Sequence, residues 1–308
     1  MKYADWKSVY VDKTETKLLS QYTAQEEKVS RLYAENHLFA TQGNRESNVV
    51  LQNEARNAEK TLTKLQIECG KNNIVLNTGL SRTLNAETIA EITEKVRQAP
   101  ENSRILWNLA SRQMKVLDSV YSGIPHYDIG QKGIKFNLQA DTVINPRKFQ
   151  IPPYTNLFHE LGHLIDHFVS RYTGFISCFD KNYSVTLKDE AVNYIKAKIA
   201  NLSKVSNKIA VTDVYTEISK ELRAMSHIKV IDISDMFSGA TDDKVRGYWH
   251  HPADYWKNAA ILPREAFASM FSATINNPES LAQIKRYFPK SYDIFEMMID
   301  DCIKRSSQ

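Results

Sequence analysis

The stretch Thr155-Asn156-Leu157-Phe158-His159-Glu160-Leu161-Gly162-His163-Leu164-Ile165-Asp166-His167-Phe168-Val169 follows Pro152 and Pro153 and holds no proline of its own. Prolines leading into Thr155, a side chain able to cap the first free N–H groups, predict a helix from Thr155 to about Val169. Phe158, Leu161, Ile165 and Phe168 form one apolar stripe that docks it. His159 and His163 are four apart, so their Cβ atoms share a face about 5–6 Å apart. Both imidazoles can then reach one ion at about 2.0–2.1 Å. Glu160 stands beside that ion's open position, where it can take a proton from water without being a ligand. The His-Glu-x-x-His pattern therefore sits in the helical context that gives it chemical meaning.

A third ligand has to come from elsewhere. His167 is excluded by rise, because eight residues separate it from His159, about 12 Å along the axis. An extended motif, with Gly three residues past the second His and His three beyond, is absent, since Asp166 and Val169 hold those positions. A carboxylate on a later helix remains. Glu265, in Pro263-Arg264-Glu265-Ala266-Phe267-Ala268-Ser269-Met270-Phe271, opens a helix with Phe267, Met270 and Phe271 inward. Its spacing fits a ligand or a carboxylate placed for the helix dipole. Asp189, Glu190, Glu217 and Glu221 compete, but their patterns read as solvated helix faces.

Around this core the chain has 308 residues, 42% hydrophobic and 25% charged, which is globular composition and excludes disorder as the main state. No window approaches a membrane span, and Met1-Lys2-Tyr3-Ala4-Asp5-Trp6 lacks the apolar core of an export signal. A soluble, cytoplasmic or virion-associated chain is the expectation. Lys and Arg total 40 against 36 acidic residues and are dispersed, which gives no support to nucleic-acid binding. Cys69, Cys178 and Cys302 are odd in number and far apart, so they read as reduced thiols, mostly buried.

From Asp12 to Cys69 the sequence is polar, proline-free and helical in spacing, with breaks at Ala40–Asn48 and Gly70–Asn73. Residues 1–80 are expected to be an N-terminal helical arm and 81–308 the main domain. Asn85 caps a helix carrying Ile89, Ile92 and Val96 and ended by Pro100; Ile105, Leu106, Leu109 and Met114 continue with another. Ile134-Lys135-Phe136-Asn137-Leu138, after the Gly130–Gly133 turn, is the best strand signal and the seed of a small mixed sheet. Pro146 lies in the loop that follows. Helical patterns recur at Lys188–Leu202, Asp213–Met225 and Pro263–Lys304, with a polar turn at Ser238–Asp243 and breaks at Asn276-Asn277-Pro278 and Pro289. The fold class is α+β, helix-dominated.

His159-Glu160-Leu161-Gly162-His163 with Asp166, Glu265-Ala266-Phe267-Ala268 with Phe271, and Phe288-Pro289-Lys290-Ser291-Tyr292 resemble the zincin peptidase domain of anthrax lethal factor and its relatives, which include clostridial proline-specific endopeptidases. The likeness spans at most residues 85 to 308 and is weak outside these blocks. It implies a zincin-like metallopeptidase domain with zinc on His159, His163 and Glu265. Relatives carry a catalytic tyrosine seven residues before the ligand Glu, where this chain has Asn258. Tyr255 is the nearest tyrosine, and Tyr248, His250 and His251 lie slightly earlier and could take the same role. Separately, Tyr3–Trp6, Val9–Val11, Asp232–Gly239, Gly247–Pro252 and Tyr255–Lys257 resemble segments of minor head proteins of Gram-positive bacteriophages and prophages.

The leading expectation is a zinc endopeptidase acting on a peptide or protein, with Glu160 as general base and Tyr255 stabilising the oxyanion. Residues Ile134 to Leu138 would offer a sheet edge to the substrate backbone, and Asp166 would orient a ligand histidine. The alternative is a phage structural or interaction protein, partnered with head proteins, whose zinc site is structural or silent.

Overall fold

The computed structural model describes residues 13–41, 45–142, 151–169, 174–204 and 210–308. The Tyr3–Trp6 and Val9–Val11 strings, Gly43 and Pro146 lie outside them. Among the described residues there are twelve α-helices and one three-stranded mixed sheet.

Helices α1 (Lys13–Thr41) and α2 (Arg45–Lys71) pack on each other through Tyr22, Val29, Leu32, Ala58 and Leu62, a cluster separate from the main core. The end of α2 and the segment after it are tied down by Asn108, fully buried on α4 (Glu101–Ala110). Its Nδ2 donates to the Gln66 and Ile74 carbonyls at 3.3 and 2.8 Å, and its Oδ1 accepts from the Leu76 amide at 2.9 Å. Such a bridge satisfies backbone groups that burial would otherwise orphan. Helix α3 (Ala86–Gln98) is capped by Asn85, as its sequence implies, with Thr88 N–H donating to Oδ1 at 2.8 Å.

Strands β1 (Val116–Asp118), β2 (His126–Asp128) and β3 (Gly133–Lys135) lie in the order β1-β3-β2, the first pair parallel and the second antiparallel. The strand expected to reach Leu138 ends at Lys135. Asn137 stops it locally: its Oδ1 accepts from Ala140 N–H at 3.0 Å and caps α5 (Leu138–Thr142). Nor can β3 take a substrate strand, because β1 and β2 occupy both its sides. The segment that borders a cleft falls instead just before β2, where Ile124 and Pro125 line it together with His159 and Glu160.

The motif helix, α6 (Thr155–Phe168), starts as expected but is capped differently. Tyr154 precedes it at φ 68, and Thr155 Oγ1 turns back to the Pro152 carbonyl at 2.7 Å. The cap comes from α5: Asp141 accepts from the amides of Asn156 and Leu157 at 3.0 and 2.9 Å. Burial pushes Asp141 up to about 6, against the pull of those amides. Helix α6 lies against α10 (Ile261–Asn276), whose residues from Leu262 to Ala273 are nearly all buried. Gly162 sets the closeness of this contact, because a Cβ there would fall 2.7 Å from Ala268 Cα and 3.1 Å from its carbonyl oxygen. Backbone atoms cannot step aside as a side chain can. Gly162→Ala is therefore expected to cost about 1–3 kcal/mol, the range for overpacking, measured as a lower denaturation midpoint; an unchanged midpoint would show that the helices can part freely.

The remaining helices are α7 (Lys181–Leu202), α8 (Val211–Ala224), α9 (His227–Ala240), α11 (Pro278–Tyr287) and α12 (Pro289–Ser306). Helix α7 begins earlier than its amphipathic pattern suggested, at an Asp180 cap. Helix α9 is a correction, since Ser238, Gly239 and Ala240 are its buried last turn and the polar turn starts only at Thr241. Among the competing carboxylates, Glu190 accepts from the Lys290 and Ser291 amides at the start of α12, and Glu221 from Tyr194 and Lys198. Cys69 and Cys302 are buried, whereas Cys178 is exposed. No helix among the described residues is long and apolar enough to cross a membrane.

Candidate metal centre

Docking α6 on α10 brings Glu265, on the first turn of α10, opposite the two histidines of α6. Glu265 Oε2 lies 3.1 Å from His159 Nε2 and 3.3 Å from His163 Nε2. The two rings meet edge to face with centroids 4.9 Å apart. Two ring nitrogens and one carboxylate oxygen thus converge on one point, and His163 and Glu265 are buried. Burial opposes a charge on Glu265, but the imidazoles of His163 and His159 hold its carboxyl well below the usual range. Burial likewise opposes a charge on His159, and Glu265, with Glu160 and Asp232 nearby, overcomes it and pushes the ring up to about 9. These three residues form a buried grouping able to bind a metal ion.

The nitrogen and oxygen donors also suit a borderline-soft divalent cation. Glu160 is buried outside this trio and lines the cleft that opens beside it, about 310 Å³ in volume. Ile124, Pro125, Ile151, Val230, Ile231 and Trp249 form an apolar wall of this cleft, and His159, Asp232, Asp235 and His251 a polar one.

Tyr255 reaches the site from the far side of Glu265. Its hydroxyl donates to Oε1 at 2.5 Å, which turns Oε2 toward the histidines. Burial and the Glu265 charge push this hydroxyl well up, so it stays a donor. The ring of His251 stacks on Tyr255 at 3.9 Å with 13° between planes, and its Nδ1 sits 2.9 and 3.1 Å from the two oxygens of Asp235. Asp235, His251 and Glu265 form a second grouping with ligand atoms within 4.8 Å of one another. Tyr248 also lines the cleft, where it meets His227 edge to face at 3.9 Å, whereas His250 faces away, paired with Asp243 at 3.1 Å. His167 faces away as well, 2.8 Å from the Tyr127 hydroxyl and stacked on Phe175.

Asp166 does not orient a ligand ring as expected. It accepts from Ser177 N and Oγ at 2.9 and 2.6 Å and so anchors the segment after α6. His163 Nδ1 is left buried without a hydrogen-bond partner.

Sequence reasoning placed Asp232 and Asp235 only in the Asp232–Gly239 string and gave them no part at the metal centre. Both are buried on α9, Asp232 accepting from Ser280 Oγ at 2.5 Å and pushed up by burial to about 6. Their signal was there, as two acids three apart within the apolar run Val230 to Phe237. Comparison of the chain with protein-family models, with curated proteins and with solved structures found no match.

Proposed function

We propose that the chain is a zinc-dependent endopeptidase of zincin type, with His159, His163 and Glu265 as metal ligands and Glu160 as general base. The observation that carries this reading is the convergence of both Nε2 atoms on Glu265 Oε2 at 3.1 and 3.3 Å, with Glu160 on the adjoining cleft wall. Two imidazoles and one carboxylate are a ligand set of catalytic zinc, which leaves a position open, whereas structural sites are closed by four protein ligands. A zinc ion held there supplies Lewis acidity toward a carbonyl oxygen and acidifies water.

The protein's own residues do the rest. Glu160 takes the proton of the attacking water and hands it to the departing amide nitrogen. Tyr255 orients Glu265 through its 2.5 Å bond, and Gly162 lets the helix bearing both histidines approach the helix bearing the carboxylate. The apolar wall favours a peptide with a large apolar side chain beside the scissile bond.

The test is incubation of the full chain with a random peptide library, read by mass spectrometry. Cleavage clustered next to apolar residues, lost on chelation and restored by zinc, is the expected result. A library left intact by the zinc-loaded protein would overturn the reading.

A further inference from the structure

An oxyanion needs a donor in the cleft, and the tyrosine expected there is committed elsewhere. Tyr255 gives its only hydroxyl proton to Glu265 Oε1, and its ring is covered on one face by His251. His251, by contrast, lines the cleft beside His159 and Glu160. Its position is fixed three ways. Nδ1 is 2.9 and 3.1 Å from the Asp235 oxygens, the backbone N–H of His251 donates to Asp235 Oδ1 at 2.9 Å, and the ring lies flat on Tyr255. With Nδ1 taken up by Asp235, Nε2 is the nitrogen left to act. One ring nitrogen lies within 4.8 Å of a Glu265 carboxylate oxygen, which puts the imidazole beside that carboxylate.

Resting on the peptidase reading, we propose that His251 is a catalytic residue whose Nε2–H donates to the carbonyl oxygen of the scissile bond as that oxygen becomes negative, and that Asp235 is its positioning residue. The water oxygen bonds to the carbonyl carbon and the C=O π pair moves onto oxygen, where Nε2–H meets it. Glu160 carries the water proton to the amide nitrogen, the C–N bond breaks, and the oxyanion pair re-forms C=O. His251 keeps its proton throughout, and no oxidant or further reactant is needed. Asp235 supports this state of the ring by its position: its carboxylate accepts from Nδ1 at 2.9 Å, a bond that favours the doubly protonated imidazolium, whose Nε2 then carries the hydrogen it donates.

The experiment uses full-length zinc-loaded protein and the library peptide that wild type cleaves fastest. His251→Ala is expected to lower kcat about 10²–10³-fold, the cost of removing one such donor, with KM and zinc content near wild type and partial rescue by added imidazole. Asp235→Asn, which keeps the side-chain shape, is expected to lower kcat less and leave KM alone; it carries the test if His251→Ala fails to fold by circular dichroism. Wild-type kcat in both variants would overturn the proposal while leaving the peptidase reading intact. Loss of a second equivalent of zinc in either variant would also overturn it, and would assign Asp235, His251 and Glu265 to a second metal. Absence of cleavage by wild type would take down both readings together.

Discussion

Glu160→Gln is expected to lower peptide cleavage by about 10²–10⁴-fold, the usual contribution of a positioned general base, while bound zinc stays at the wild-type level. The amide matches the carboxylate in size, so the buried position should accept it without a cavity or clash. What it lacks is the ability to take a proton from water. Because Glu160 lies outside the trio of His159, His163 and Glu265, its replacement leaves both Nε2 atoms and Oε2 in place. Metal analysis and single-turnover kinetics on the same preparation separate the two effects. Turnover equal to wild type would remove Glu160 from the mechanism, and loss of zinc would make it a ligand.

Much of this centre is written locally in the chain. Helix α6 and its two histidines follow from spacing alone, and so do the Asn85 cap of α3 and the break at Asn277-Pro278 between α10 and α11. Spacing left Glu265 one of several carboxylates and only the family resemblance singled it out; the docking of α10 on α6 brings its carboxylate to both histidines, because convergence is a tertiary fact. Features set by distant partners stayed hidden. The cap of α6 comes from Asp141 on another helix, and β3 gave way to a short helix because Asn137 caps locally.

Helix α9 escaped for a different reason. It is apolar around most of its circumference, and the acids Asp232 and Asp235 interrupt the one periodicity that would mark it. Read singly they resemble surface residues. In the fold, Ser280 and His251 satisfy them inside the protein, which is how a buried carboxylate becomes tolerable. Tyr255 was legible as an aromatic near Glu265, but its hydrogen bond to that carboxylate was not, since the partner of a hydroxyl is set by tertiary packing.

Zinc affinity is expected to rise about tenfold for each pH unit from about pH 6 toward about pH 9, a gain of about a hundredfold between pH 6 and 8. In the metal-free protein Glu265 Oε2 sits 3.1 Å from His159 Nε2, and it overcomes burial to push that ring from its usual 6.5 up to about 9. Nε2 cannot hold a proton and a metal at once, so each ion bound displaces one proton while the pH is below about 9. Above that value the proton is already gone and the affinity levels off. Folding stability of the metal-free protein runs the other way. Because the folded value lies above the unfolded one, the His159 contribution is fully present below about 6.5 and is lost as pH rises through about 9. Zinc-loaded protein has no proton at Nε2 to lose and escapes that decline, so the gap in melting temperature between loaded and metal-free forms should widen with pH. Competition against a chromogenic chelator measures the first effect and thermal unfolding the second. A zinc affinity flat across pH 6 to 8 would mean that binding displaces no proton from His159.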